Sequence, residues 1–151
     1  MKKMHRKFFL MTGLLIAIGF SLSSFTSGWG GDSFSIRLND KLLIEQRLYG
    51  DKTVHAISLK EAKPNDELKI TFSHCGQAGK NKTLAVKNGN NKVLKQWSFT
   101  DHSATMTCKV QDITSLEKGS TSLQLVYTSV ELPKGQVLAS IVTDNRSTVK
   151  N

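Results

Sequence analysis

A chain of 151 residues holds one domain and hardly two. Its 21 lysines and arginines against 12 acidic residues give a net charge of +9, yet the cations are scattered along the chain. A nucleic-acid interface asks for a clustered basic stripe, so that function class is set aside.

The N-terminus has three parts. Lys2, Lys3, Arg6 and Lys7 make a basic start without an acidic residue, and Phe8 to Leu22 is mostly apolar, broken by Thr12, Gly13, Gly19 and Ser21. Small residues then gather at Ser23, Ser24, Thr26, Ser27 and Gly28. Ser24 with Thr26, or Thr26 with Gly28, would suit a peptidase that needs small side chains at −3 and −1. This is the pattern of a secretory signal peptide. Residues 1–27 are therefore read as the signal, 28–145 as a β-sandwich domain and 146–151 as a polar tail. The apolar run is shorter than the ~20 residues a spanning helix needs, so no permanent membrane anchor is expected. No cysteine stands near the cleavage region to carry a lipid. The expected location is periplasmic or secreted. Removing four cations leaves 17 basic and 12 acidic residues, a net +5. That balance suits a solvated surface with no nucleic-acid partner. The remaining ~124 residues can bury about two-thirds of their unfolded surface, enough for a core without a metal.

Beyond the signal, strands and turns alternate. Phe34, Ile36 and Leu38 alternate with Ser33, Ser35 and Arg37, a strand with one buried face. Asn39-Asp40-Lys41 predicts a tight hairpin into a second strand over 42–49, and Gly50-Asp51-Lys52 a turn into a third over 53–59. Lys63-Pro64-Asn65-Asp66 is a turn, followed by a strand over 67–74. A glycine-containing loop over 75–81 leads to strands over 82–87 and 92–99, joined by Asn88-Gly89-Asn90-Asn91, the strongest hairpin signal in the chain. Further strands are predicted over 104–110, 122–128 and 137–143, with one helical turn inside 112–119. About nine short strands, with turn chemistry every 8–14 residues, predict an all-β fold. We expect an antiparallel two-sheet β-sandwich, jelly-roll or C2-like, with a closed barrel as the alternative.

Cys75 and Cys108 are the only cysteines, and an even count in an exported chain predicts a disulfide between them. Strand parity pulls the other way. Cys75 falls opposite the apolar face of Leu68, Ile70 and Phe72, whereas Cys108 shares a face with Met106 and Val110. A turn at Gly76 would reconcile the two; a buried thiol at Cys108 is the alternative.

Chemistry-bearing motifs are sparse. The loop Gly76-Gln77-Ala78-Gly79-Lys80-Asn81 resembles a phosphate-binding loop but lacks its spacing, its hydroxyl and the helix that should follow. His74, Cys75, His102 and Cys108 match no short zinc-ligand spacing, so no metal and no cofactor is expected. His74, Lys80, Asp101 and His102 lie at strand ends or loops flanking consecutive strands, and are the candidate binding residues. No catalytic residue is assigned: Ser73 and His74 are adjacent on a strand and point to opposite faces, and there is no nucleophile elbow. Among the aromatics, Trp97 (with Val93 and Phe99) and Tyr127 (with Leu123 and Leu125) read as core. Trp29 and Tyr49 remain as a weak stacking platform. Asn81-Lys82-Thr83 and Asn145-Arg146-Ser147 fit a glycosylation sequon, a triplet common by chance.

Three stretches, Gly31-Asp32-Ser33-Phe34-Ser35-Ile36-Arg37-Leu38-Asn39, Ser73-His74-Cys75-Gly76-Gln77-Ala78-Gly79-Lys80 and Lys92-Val93-Leu94-Lys95-Gln96-Trp97, resemble a group of small exported proteins of Bacteroidetes-type bacteria. The resemblance implies export and a compact β domain, and carries over no activity and no site residue. The function expected is a non-enzymatic binding or accessory module of the bacterial cell envelope, its partner an envelope component, glycan or protein. Two alternatives stand beside it: a small periplasmic hydrolase with a site near His74, Asp101 and His102, and a protein-partner inhibitor or adhesin-like subunit presenting the 75–81 loop.

Overall fold

The computed structural model describes residues 31–116 and 122–142. The expected signal, Trp29, the second sequon and the polar tail lie outside the described residues. Within them are nine strands: β1 (Ser33–Leu38), β2 (Lys41–Arg47), β3 (His55–Ser58), β4 (Glu67–Ser73), β5 (Lys82–Asn88), β6 (Val93–Phe99), β7 (Thr105–Lys109), β8 (Leu123–Thr128) and β9 (Gln136–Val142). They form a four-stranded sheet in the order β2-β1-β4-β7 and a five-stranded sheet in the order β3-β9-β8-β5-β6. The chain changes sheet at β2–β3, β3–β4, β4–β5, β6–β7 and β7–β8, a jelly-roll style of winding. All pairings are antiparallel except β3 with β9, which is parallel.

Period-two patterning builds both inner faces. In the first sheet one register row runs Ile44, Ile36, Ile70, Met106, and the next along the strands includes Leu38, Leu68 and Cys108. The facing sheet supplies Leu84 and Val86 from β5 and Leu123, Leu125 and Tyr127 from β8. Phe72 and Tyr127 stack across the interlayer space with ring centroids 4.0 Å apart. Side chains such as Ile70, Phe72, Leu84 and Leu125 are fully buried, each worth roughly 1.5–3 kcal/mol in removed apolar surface.

Turn chemistry follows the residue types. Asn39 and Asn91 hold φ of 52° and 60°, a conformation that asparagine tolerates. The Asn88 side-chain oxygen accepts the amides of Asn90 and Lys92, each at 3.0 Å, and so closes the β5–β6 hairpin. The helical turn, α1 (Val110–Thr114), begins two residues before the predicted segment. Val110 and Ile113, three apart on one helical face, are both buried in the core.

Two expectations are corrected. No disulfide joins Cys75 to Cys108. Cys108 pairs in register with Leu68 at one end of β4, its thiol 3.8 Å from the Leu68 carbonyl oxygen. Cys75 lies past the other end of that strand, so roughly 20 Å of extended chain separates them, against the ~4 Å between Cβ atoms that a bond requires. Burial, with Asp112 adding to it, pushes the Cys108 thiol up to about 12. The second correction is in β6. A register shift between Val86 and Lys87 pairs Lys87 with Val93 and passes over Leu94. Val93 is therefore exposed, while Leu94, Trp97 and Phe99 lean on the core.

Candidate functional site

The β4–β5 connection crosses one end of the sandwich. Its first residue, His74, continues the inward alternation of Leu68, Ile70 and Phe72, and its ring packs 4.8 Å from Phe72. His74 Nδ1 lies 3.2 Å from an Asp32 carboxylate oxygen. Its Nε2 lies 3.1 Å from the Tyr127 hydroxyl and 3.0 Å from Ser129 Oγ. A carboxylate only accepts, so Nδ1 carries the proton toward Asp32, while Nε2 faces two hydroxyls that can each donate or accept. Ser129 Oγ also accepts the Leu132 amide at 3.2 Å. Burial raises the Tyr127 phenol above its ordinary value.

The backbone of the loop is laid directly over this cluster. A Cβ at Gly79 would collide with the Tyr127 hydroxyl and would lie 3.0 Å from both His74 Nε2 and Ser129 Cβ. Only glycine permits that approach. The loop is tied at three more points. His74 and Gln77 exchange backbone hydrogen bonds of 2.7 and 3.0 Å, and Val130 donates its amide to the Lys80 carbonyl at 3.0 Å. The Glu131 carboxylate accepts the Lys80 amide at 3.0 Å, which holds its pKa below the ordinary range. Cys75, Gly76 and Asn81 take positive φ to make these turns.

Beside the cluster stands an ion pair with one buried partner. Lys82 opens β5 with inward parity, and its side chain is wholly buried. Its ammonium donates to the Asp101 carbonyl at 2.6 Å and to Asp101 Oδ1 at 3.2 Å, while the Asp101 side chain stays 60% exposed. Between the loop 77–81 and the segment 100–102 runs a groove of about 570 Å³, with Val130 contributing to its lining.

The four candidate residues thus come to one end of the sandwich in two layers. Lys80, Asp101 and His102 line the groove. His74 is behind the loop, with only 11% of its side chain exposed, and its carboxylate partner is Asp32, not Asp101. Asp32, Tyr127, Ser129 and Lys82 are the participants that sequence reasoning did not name. Lys82 had a signal, since it shares parity with Leu84 and Val86. Of the two expected stacking aromatics, Tyr49 is exposed and Trp29 lies outside the described residues; Tyr127, expected in the core, is fully buried. Among the described residues no group of three or more His, Cys, Asp or Glu side chains is placed to hold a metal ion. No described helix is long and apolar enough to cross a membrane. No protein-family model matches the chain, and no curated protein matches it.

Proposed function

We propose that this chain is an exported, non-enzymatic binding or accessory module of a bacterial cell envelope, and that its ligand-facing surface is the groove between residues 77–81 and 100–102. One observation carries the reading: buried polar side chains gather beneath the two walls of this groove. Tyr127 and Lys82 are fully buried and Ser129 nearly so, with His74 beside them. Burying such groups is costly unless each is paired, and here each is. His74, Tyr127 and Ser129 underlie the Gly79 backbone while Lys82 ties Asp101 on the opposite wall, and a rim held from below lowers the ordering cost of binding. Backbone amide NMR of the purified protein, titrated with separate polysaccharide, lipid and peptide fractions of envelope, tests this. Saturable shifts at residues 77–81, 100–102 and 130 support the groove. Shifts confined to other faces, or none, overturn it.

A second reading has its own observation. Asp32, His74 and Ser129 form a hydrogen-bonded chain of an acid, a base and a hydroxyl, the order a nucleophilic hydrolase uses. Against it, Ser129 is 6% exposed and the Gly79 backbone fills the space an acyl carbon would need. A fluorophosphonate probe should leave Ser129 unlabelled. Labelling abolished by Ser129→Ala would replace the binding reading with the hydrolase.

A further inference from the structure

We propose that the groove takes a neutral, polyhydroxylated ligand, a short glycan segment, with Asp101 as its fixed hydrogen-bond acceptor and Lys82 as the residue that positions Asp101. This inference rests on the binding reading above and assigns its ligand class.

The formal charges of Lys80, Lys82, Asp101 and Glu131 at the groove sum to zero. Lys82 neutralises Asp101 from behind, at 3.2 Å. Glu131, whose carboxylate accepts the Lys80 backbone amide, offsets the charge of Lys80 in number. Phosphate or a uronic acid would find no net positive field, and a cation no net negative one. The hydrogen-bonding groups are instead mixed. Gln77, Asn81, Thr100 and His102 line the groove and can each both donate and accept, while Asp101 only accepts and Lys80 only donates. A sugar hydroxyl, itself donor and acceptor, is satisfied by that mixture. Val130, 59% exposed, adds an aliphatic surface for the C–H face of a ring. The volume of about 570 Å³ falls within the ~300–1,000 Å³ of small-ligand pockets.

The Lys82–Asp101 pair adds the second strand of the case. A buried ammonium contributes little net stability compared with an apolar side chain of its size. Its two bonds to Asp101 fix both the backbone and the carboxylate of a residue that is otherwise mostly exposed. Lys82 thus acts through Asp101 and has no ligand contact of its own.

The test is a titration of the purified protein, followed by amide NMR and calorimetry. The probes are neutral hexasaccharides of glucose, mannose, xylose and N-acetylglucosamine, with trigalacturonate and inorganic phosphate as anionic probes. The expected result is saturable shifts at 77–81, 100–102 and 130 with at least one neutral oligosaccharide and none with the anionic probes. Asp101→Ala and Lys82→Met should each weaken that binding at least fivefold, with the melting temperature of Lys82→Met preserved. A merely structural lysine would lower the melting temperature and leave the affinity of the folded fraction unchanged, which overturns the positioning role. Silence across the neutral panel, while an envelope fraction still shifts the groove, overturns the ligand class and leaves the binding reading standing. If nothing shifts the groove, both fail.

Discussion

At the end of the sandwich where Leu38, Leu68 and Cys108 share a register row, the core is closed by Val110 and Ile113 of α1. The polar groups there are exposed turn groups: Asn39 bonds the Glu67 backbone and the Asp66 carboxylate, and Asp66 accepts the Lys63 amide. At the opposite end the core is closed by His74, Tyr127, Ser129 and Lys82, all buried or nearly so; the first three bond one another beneath the Gly79 backbone, and Lys82 bonds Asp101 across the groove. Apolar closure is non-directional and tolerates a range of arrangements. Polar closure is directional: each buried group must meet its partner at hydrogen-bonding distance, so the loop above it has few alternatives. The first end is arranged for stability, and the second exchanges some stability for a fixed surface.

The contrast can be broken most sharply at the apolar end. Leu68→Ala removes a fully buried side chain from the register row it shares with Leu38 and Cys108 and should cost about 3 kcal/mol in denaturant unfolding. Its folded form should keep the groove's amide shifts. If those shifts move as far as the Leu68 neighbours do, the two ends are one unit. Gly79→Ala should cost less, about 1–3 kcal/mol, because the added methyl forces the loop off the Tyr127 hydroxyl. Here the amides of 77–81 and 130 should shift strongly while those of α1 stay in place. Lys82→Met should cost least of the three. The Asp101 carboxylate that it leaves behind is 60% exposed and stays hydrated, so stability should change by less than about 1 kcal/mol in either direction. A loss of 3 kcal/mol or more would make the ion pair a stabilising element and remove the distinction between the ends.

The strands were legible because their signals are local. Alternation such as Phe34-Ser35-Ile36 and asparagine turns such as Asn88 to Asn91 sit inside windows of a few residues. The hairpin pairings β1–β2 and β5–β6 were legible from their turns, but the distant pairings were not: parallel β3 and β9 meet across some eighty residues of chain. The site divides in the same way. His74 could be placed inward from its two-residue spacing to Phe72, but its partners Asp32, Tyr127 and Ser129 are 42, 53 and 55 residues away. Lys82 carries inward parity, but lysine is almost never fully buried unless paired, and its partner Asp101 is 19 residues off. Parity was also the better guide for the cysteines. It put them on opposite faces, and the counting argument for a disulfide overrode it.

The smallest effect is a titration that separates the ends by position. Glu131 and Asp66 both have carboxyl pKa values held below the ordinary range, chiefly by accepting backbone amides, from Lys80 and Lys63 respectively. A carboxyl depressed in the folded state contributes its stability fully above its unfolded pKa, near 4, and loses it as pH falls through the lower folded value. Acid therefore releases one tie at each end, below a pH of about 4. At the Glu131 end the lost tie belongs to the groove rim; at the Asp66 end it belongs to an exposed turn. In a pH series of amide shifts, Lys80 and Lys63 should each move as their own carboxylate titrates. Glu131→Gln should flatten the Lys80 curve, because its amide oxygen still accepts but no longer titrates, and should leave the Lys63 curve unchanged. A Lys80 amide that stays flat to pH ~2 in the parent protein would show that Glu131 does not hold the loop in solution. Joint loss of both curves in Glu131→Gln would show that the ends are coupled through the core.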